Sequence, residues 1–181
     1  MISLYLKRGW MVNNSIRRLS LIAVLSWLSM LGFDFFLHAG LLARLYLKPS
    51  PFLLPPAKAF RLIPLGYLSF LLMAVLLTWM MVKQEIVGKR RGLVFGLKFG
   101  GMIWGTLVLG LLSISTADVA LLLGWLFGQT LELGVAGAVV GSGLSGKRLK
   151  RLFMTVLTFT MVSVFLTILY QNLALTPVVS L

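Results

Sequence analysis

Long apolar runs alternate along the chain with short polar segments that are rich in Lys and Arg. Five of these runs come near the ~20 residues that a helix needs to cross the hydrocarbon core of a bilayer. They extend over Leu19–Leu37, Leu62–Val82, Leu93–Leu112, Val119–Leu144 and Leu152–Tyr170. Because hydrocarbon offers the backbone no hydrogen bonds, such runs must be helical. The pattern therefore predicts an all-α, polytopic transmembrane helix bundle of five spans, with residues 1–181 forming a single membrane domain.

The composition agrees with this prediction and narrows the possible chemistry. Hydrophobic residues make up 59% of the chain, and the mean hydropathy is +1.00. Only 12% of the residues are charged, against roughly 25% in soluble domains. The chain contains no Cys, which excludes disulfides, thiolate catalysis and Cys-ligated metals or clusters.

The net charge of +13 is concentrated at the ends of the apolar runs. If the spans alternate in direction, twelve basic residues fall on the side of the N-terminus, namely Lys7, Arg8, Arg17, Arg18, Lys83, Lys89, Arg90, Arg91, Lys147, Arg148, Lys150 and Arg151. The other side receives four, which are Arg44, Lys48, Lys58 and Arg61. The positive-inside rule then predicts a cytoplasmic N-terminus and an external C-terminus. We expect membrane lipids, through anionic headgroups, to be the partners of the cytoplasmic clusters, and we expect no nucleic acid partner.

The first run could instead be a cleaved signal peptide, since a basic segment precedes it and Leu37-His38-Ala39 resembles a cleavage site. Its length of about 19 residues exceeds the 7–15 residues of a typical signal-peptide core. Trp27 and Asp34 also interrupt it. We therefore predict that this run is a retained membrane span.

The connections between spans differ in length and in turn chemistry. The longest, from His38 to Arg61, contains four prolines and predicts an extended external lid. Pro64 is predicted to lie in the first turn of the second span, where its missing N–H has no consequence. Ser115 and Asp118 predict a capping box at the start of the fourth span. The few residues there make spans three and four an antiparallel hairpin.

Glycines recur along this hairpin at helical spacing, with Gly96 and Gly100 in span three and Gly128 and Gly137 in span four. Small residues at this spacing let two helix backbones approach closely, which stabilises helix association in lipid. We predict that these glycines pack spans three and four against each other. The alternative is that they form the interface of a homo-oligomer.

Ionisable residues within the spans are the strongest functional signal, since each is costly to place in hydrocarbon. Asp34 and His38 lie one turn apart near the outer end of span one, with Arg61 at a similar depth. These three residues form a predicted polar group at the outer face. The alternative is that they simply lie at the level of the lipid headgroups.

A second polar group is predicted deeper in the membrane, where Glu132 lies about a dozen residues from either end of its span. Lys98 and Glu132 are 18 and 16 residues from the hairpin centre near Thr116, so they lie at nearly equal depth. We predict that they pair, with Gln129 extending the polar line, although Lys98 could equally reach the surface. Glu132 is either a structural carboxyl group or a group that relays protons.

Enzymatic chemistry has little support in the sequence. The chain has one His, which excludes bis-His haem ligation, and Asp34 with His38 supplies only half of a metal site. The nucleophile motif GxSxG is absent. We expect no catalytic residues, no metal and no cofactor, and therefore no enzymatic activity.

Three segments resemble a family of small, uncharacterised bacterial four-helix integral membrane proteins. They are Phe33-Asp34-Phe35-Phe36-Leu37-His38-Ala39-Gly40 with Tyr46, Gly92-Leu93-Val94-Phe95-Gly96 with Gly100, and Trp125-Leu126-Phe127-Gly128-Gln129 with Glu132, Ala136 and Gly137. The resemblance covers about residues 19–144, and the fifth span departs from it. It implies a compact bundle in the bacterial inner membrane and brings no established activity.

Two functional classes follow most directly from these observations. The first is a non-catalytic membrane protein, an accessory or assembly subunit or a small oligomer, indicated by the glycines and the scarcity of reactive groups. The alternative is a small transporter or proton-coupled permease that uses Glu132, Gln129 and Lys98. An enzyme acting on lipid is a third and weaker hypothesis.

Overall fold

The computed structural model describes residues 15–48, 50–146 and 148–174. Lys7, Arg8, Pro49 and Lys147, which contribute to the charge and loop predictions, lie outside these residues. The helices are α1 (Ile16–Phe35), α2 (Ala43–Tyr46), α3 (Pro56–Lys83), α4 (Lys89–Ile114), α5 (Val119–Leu144) and α6 (Leu149–Ala174). A π-helical segment, Phe36–Leu41, continues α1 directly.

Five of these helices are long and apolar enough to cross a membrane: α1 with its π-helical extension, α3, α4, α5 and α6. The prediction of an all-α bundle of five spans is confirmed. The second span begins at Pro56, earlier than predicted, because the pair Pro55–Pro56 starts the helix. Pro64 therefore lies inside α3, and its predicted place in the first turn is wrong.

Helices α1 and α5 form an antiparallel pair at the centre of the bundle. Ile22 of α1 lies against Gly143 near the end of α5, and Leu37 lies against Gly128 nearer its start. Between these contacts the buried hydroxyl of Ser26 donates to the carbonyl oxygen of Ala136 at 3.3 Å. Gly128 thus admits the Leu37 side chain of the π-helical segment, and its predicted contact with span three is not the one observed.

Helix α4 packs against α5 through the glycine face, which consists of Gly92, Gly96 and Gly100. A Cβ atom on Gly92 would overlap with the carbonyl oxygen of Gly137, and one on Gly96 would overlap with that of Leu133. Backbone therefore touches backbone along this contact, as small residues at four-residue spacing allow. The structure places Gly96, Gly100 and Gly137 within a single chain, as the intramolecular hypothesis requires.

Helices α3 and α6 flank α1 on its other sides. The indole N–H of Trp27 donates to the carbonyl oxygen of Tyr67 in α3 at 2.8 Å. Gly32 of α1 meets the backbone of Thr160 in α6, whose hydroxyl donates to the carbonyl oxygen of Leu28 at 3.3 Å. Helix α1 thus packs against α3, α5 and α6 and contributes side chains to the core of the bundle.

Side chains satisfy both helix ends in the short connection between α4 and α5. Asp118 caps α5 by accepting from the backbone N–H groups of Ala120 at 2.7 Å and Leu121 at 3.2 Å. These backbone bonds are the main reason that the pKa of Asp118 lies below its usual range. Ser115 instead ends α4, where its hydroxyl donates to the carbonyl oxygen of Leu111. The predicted capping box is therefore wrong, because Asp118 itself is the N-cap residue of α5.

Candidate functional site

The polar side chains of α1 lie where its backbone changes from an α-helix to a π-helix. Asp34 is in the last turn of α1, and His38 is inside the π-helical segment Phe36–Leu41. The backbone N–H of Leu42 donates to the carbonyl oxygen of Leu37 at 2.8 Å, five residues back. Single π-helical turns within helices are frequent at functional sites. The π-helical turn therefore makes the end of α1 a candidate functional site.

Asp34, His38 and Gln129 meet around one imidazole nitrogen. The Nε2 atom of His38 lies 3.2 Å from Oδ1 of Asp34 and 2.9 Å from Nε2 of Gln129. The Gln129 amide also donates to Oδ1 of Asp34 at 3.4 Å. The Asp34 and His38 side chains are only 15% and 26% exposed. They therefore face the bundle interior, where a residue of α5 completes the group.

Tyr46 and Trp125 extend this group toward the end of the bundle. The phenol of Tyr46 is hydrogen bonded to Nδ1 of His38, and it accepts the indole N–H of Trp125. Burial raises the pKa of Tyr46, against the opposite effect of the hydrogen bond from Trp125. The phenol thus keeps its proton. We call Asp34, His38, Tyr46, Trp125 and Gln129 the polar cluster.

The proline-containing connection covers this end of the polar cluster. The ring of Phe52, which belongs to this connection, packs against Trp125, with 6.2 Å between the ring centroids. Lys48 reaches Asp118 at 3.6 Å and so ties the connection to the start of α5. The predicted extended lid is shorter than the segment His38–Arg61, because the π-helical turn, α2 and the first turns of α3 occupy much of it.

Two proton arrangements fit the geometry of His38. In the first, Nε2 accepts from the Gln129 amide, and the N–H at Nδ1 donates to the Tyr46 oxygen. In the second, Tyr46 donates to Nδ1, and the N–H at Nε2 donates to the Asp34 carboxylate, with the Gln129 amide reversed. A neutral imidazole passes from one arrangement to the other by gaining a proton at one nitrogen and losing one at the other. The geometry suits a relay in which Tyr46 passes its proton to Nδ1 of His38 and takes another from solvent, while Nε2 passes its proton to the Asp34 carboxylate.

Glu132 lies one helical turn further into the membrane than Gln129 and is 0% exposed. Neither of its carboxyl oxygens has a hydrogen-bond partner within the described part of the chain. Since a buried polar group is normally hydrogen bonded, an unsatisfied carboxyl group indicates a role other than stability.

Lys98 and Arg61 do not join these residues. Lys98 is exposed and lines a separate cavity of about 430 Å³ with Glu85 and Arg91, and the predicted ion pair with Glu132 does not form in this structure. Lys98 and Glu132 were predicted to lie at nearly equal depth, but depth does not determine the direction in which a side chain projects from its helix. Successive residues are about 100° apart around a helix, so Lys98 projects roughly 200° from Gly96, which faces α5. Arg61 is likewise exposed, on α3.

Tyr46 and Trp125 were not predicted as site residues. One signal of this part of the site is present in the sequence, because Trp125, Gln129 and Glu132 are spaced i, i+4, i+7 and share a face of α5. Tyr46 lies outside any span, and no spacing rule connects it with His38 across the π-helical turn.

Replacing Tyr46 with phenylalanine should reduce the free energy of unfolding by about 1–3 kcal/mol, the usual effect of leaving buried polar partners unsatisfied. The change removes the acceptor of Trp125 and the partner of His38. Thermal unfolding in detergent would measure it. Tyr170→Phe is the control, because no hydrogen bond of the Tyr170 hydroxyl is seen within the described residues. Equal melting temperatures for the two variants would contradict the network.

Within residues 15–48, 50–146 and 148–174, no three side chains of His, Asp or Glu are placed to hold a metal ion. The polar cluster is a set of hydrogen-bonded side chains from α1, the π-helical segment, α2 and α5. No family model, curated protein or solved structure matches this chain, so its functional interpretation depends on this geometry.

Proposed function

We propose that the protein is a small proton-coupled transporter of the bacterial inner membrane, with Glu132 as its proton-binding group and the polar cluster as the access path. The proposal adds a role to what is established, a bundle of five helices that are long and apolar enough to cross a membrane. It assigns no catalytic step to any residue.

The single observation that carries this proposal is the environment of Glu132. An unsatisfied polar group in the interior costs about 1–3 kcal/mol, and a structural carboxyl group would be expected to have partners. Glu132 has none among the described residues, although Ser26 and Ser29 on the neighbouring α1 satisfy their hydroxyls. Its position one turn from Gln129 connects it to the polar cluster.

The polar cluster supports the proposal because its groups follow one another in depth. Tyr46 is nearest the end of the bundle, His38 and Asp34 come next, and Glu132 is deepest. Each neighbouring pair along the first part of this path is hydrogen bonded. Chains of Asp, Glu and His inside membrane spans are the usual means of moving protons in pumps and transporters.

An accessory or assembly subunit is the second candidate function. It is favoured by the apolar side chains that α3 and α4 expose, which include Phe60, Leu72, Met102 and Leu109. Helix α4 meets α5 through its glycine face and leaves its other faces open to lipid or to a partner subunit.

A pH jump on proteoliposomes adsorbed to a supported membrane tests the proposal without a known substrate. Entry of protons to a group inside the membrane moves charge across part of the bilayer and gives a transient current. We expect such a current for the wild-type protein. Glu132→Gln should remove most of this current, because a glutamine amide does not bind a proton in the pH range of such a jump.

Glu85→Gln is the matched control, since Glu85 is an exposed carboxyl group in the connection between α3 and α4. Its current should equal that of the wild-type protein. A current that is the same in Glu132→Gln and in the wild-type protein would refute proton binding at Glu132. The accessory subunit would then be the better hypothesis.

A further inference from the structure

A crevice of about 590 Å³ opens at the basic end of the bundle, where α4 and α6 begin with Lys and Arg residues. Helix α5 forms its floor with Val135, Ala138 and Val139, and α4 and α6 form its walls. Ligand sites in proteins have volumes of roughly 300–1,000 Å³. The crevice therefore has room for a ligand, and it is distant from the polar cluster, none of whose residues line it.

The crevice exists because α5 packs closely with only one of its two chain neighbours. Helix α4 approaches α5 until the backbones of Gly92 and Gly137 touch. On the other side, α6 packs on α1 through Thr160 and Gly32, so it leaves part of α5 uncovered. The uncovered part is lined with apolar side chains, which favour an apolar occupant.

Three cationic side chains surround the mouth of this crevice: Lys89 at the start of α4, Arg148 just before α6 and Arg151 in its first turn. None of the three forms an ion pair within the described part of the chain. The described lining contains no acidic residue. The mouth is therefore complementary to an anion, and the interior is complementary to hydrocarbon.

The separation of these two regions matches an amphiphile. The lining extends from Arg151 to Phe159, eight residues along α6, which is about 12 Å of helix. The cations are thus at one end, and the apolar walls continue well into the membrane. A free phosphate ion would use only the mouth, whereas a lipid with an anionic headgroup would use both regions.

We propose that this crevice is a binding site for one anionic glycerophospholipid of the surrounding bilayer, with the phosphate between Lys89, Arg148 and Arg151 and one acyl chain against Ala138 and Val139. The phosphate accepts hydrogen bonds from the two guanidinium groups, which bind phosphate in bidentate fashion. The acyl chain gains van der Waals contacts with the floor of the crevice, which α6 leaves uncovered. The site is independent of the proposed transport role.

Native mass spectrometry of the detergent-solubilised protein tests the site, with phosphatidylglycerol and phosphatidylcholine of identical acyl chains as probes. We expect one phosphatidylglycerol to bind at least about tenfold more tightly than phosphatidylcholine, since each nearby cation adds to the attraction of an anionic headgroup. The triple variant Lys89→Gln, Arg148→Gln, Arg151→Gln should lose this preference.

The matched control is the triple variant Arg17→Gln, Lys83→Gln, Lys150→Gln, which removes the same charge from exposed residues that do not line the crevice. It should bind phosphatidylglycerol like the wild-type protein. Equal losses in the two triple variants would mean that only general surface charge attracts the lipid, and the proposal would fail. Melting temperatures of both variants establish that they are folded.

Ala138→Trp tests the proposed binding position of the acyl chain, because the indole would occupy the space above the floor of the crevice and leave the cations in place. We expect it to weaken phosphatidylglycerol binding by at least about tenfold. Unchanged binding would overturn the proposed position of the chain. Displacement of the lipid by inorganic phosphate would show that the crevice is a site for a free anion instead. A doubling of the protein mass when the lipid is lost would show that a second copy of the chain occupies the crevice.

Discussion

Substituting leucine for Gly96 is expected to cause one of the largest losses of stability of any single substitution in this protein. A Cβ atom there would overlap with the backbone carbonyl of Leu133, so α4 must move away from α5 as a whole. Overpacking a tight core costs about 1–3 kcal/mol, occasionally more. We expect the upper end of this range, because a helix backbone cannot rotate out of the way as a side chain can.

Gly105→Leu is the control for this prediction, since Gly105 lies on the same helix and has no atom within 4 Å of a Cβ placed there. Unfolding in mixed micelles with increasing denaturing detergent would compare the two variants. Gly105→Leu should be near neutral or slightly stabilising, because leucine favours the helix over glycine. Equal stability of the two variants would show that the glycine face is not the contact between α4 and α5.

Glu132→Leu is expected to have the opposite effect and to raise the free energy of unfolding by about 1–3 kcal/mol. The reason is that an unsatisfied buried carboxyl group is removed and replaced by an apolar side chain of similar size. The same substitution should abolish the transient proton current. A gain in stability together with a loss of function is typical of a functional site.

Gln129→Leu provides the contrast, because Gln129 donates to Asp34 and contacts His38. It should destabilise the protein, although it is also a buried polar residue of the same helix. Adding Lys98→Met to Glu132→Leu should give additive effects, as expected for residues that do not touch. A destabilised Glu132→Leu variant would mean that a buried water or ion satisfies the carboxyl group.

The polar positions of the candidate site could be predicted from the sequence, but their grouping could not, because Gln129 was assigned to a deeper group than Asp34 and His38 and instead contacts both. Asp34 with His38, and Gln129 with Glu132, were identified as polar positions within spans. Which of them meet depends on the rotation of each helix about its axis. Helix α4 turns its glycine face to α5 and Lys98 away from it, whereas α5 turns Gln129 toward α1. A run of apolar residues on every side of a helix carries no information about that rotation.

Connections were predicted less well than spans, for a related reason. Proline at Pro55 and Pro56 was interpreted as part of an extended lid, but a proline in the first turn also starts a helix, and α3 begins there. The π-helical turn after Phe35 has no sequence signature of its own. It nevertheless brings His38 within reach of Tyr46, and so determines part of the polar cluster.

The sequence by itself determined the number of spans, the all-α fold and the positions of the basic clusters and of the glycines, because each is a local property of the chain or follows from one. It left open whether the glycines bring α4 to α5 or one chain to another. Hydrocarbon requires helices, and glycine at four-residue spacing leaves no side chain between two backbones. Only the tertiary structure decided that Glu132 faces the interior without a partner and that α6 leaves a crevice over α5. Both depend on how helices distant in sequence are rotated and spaced against each other, and an apolar exterior places few constraints on that choice.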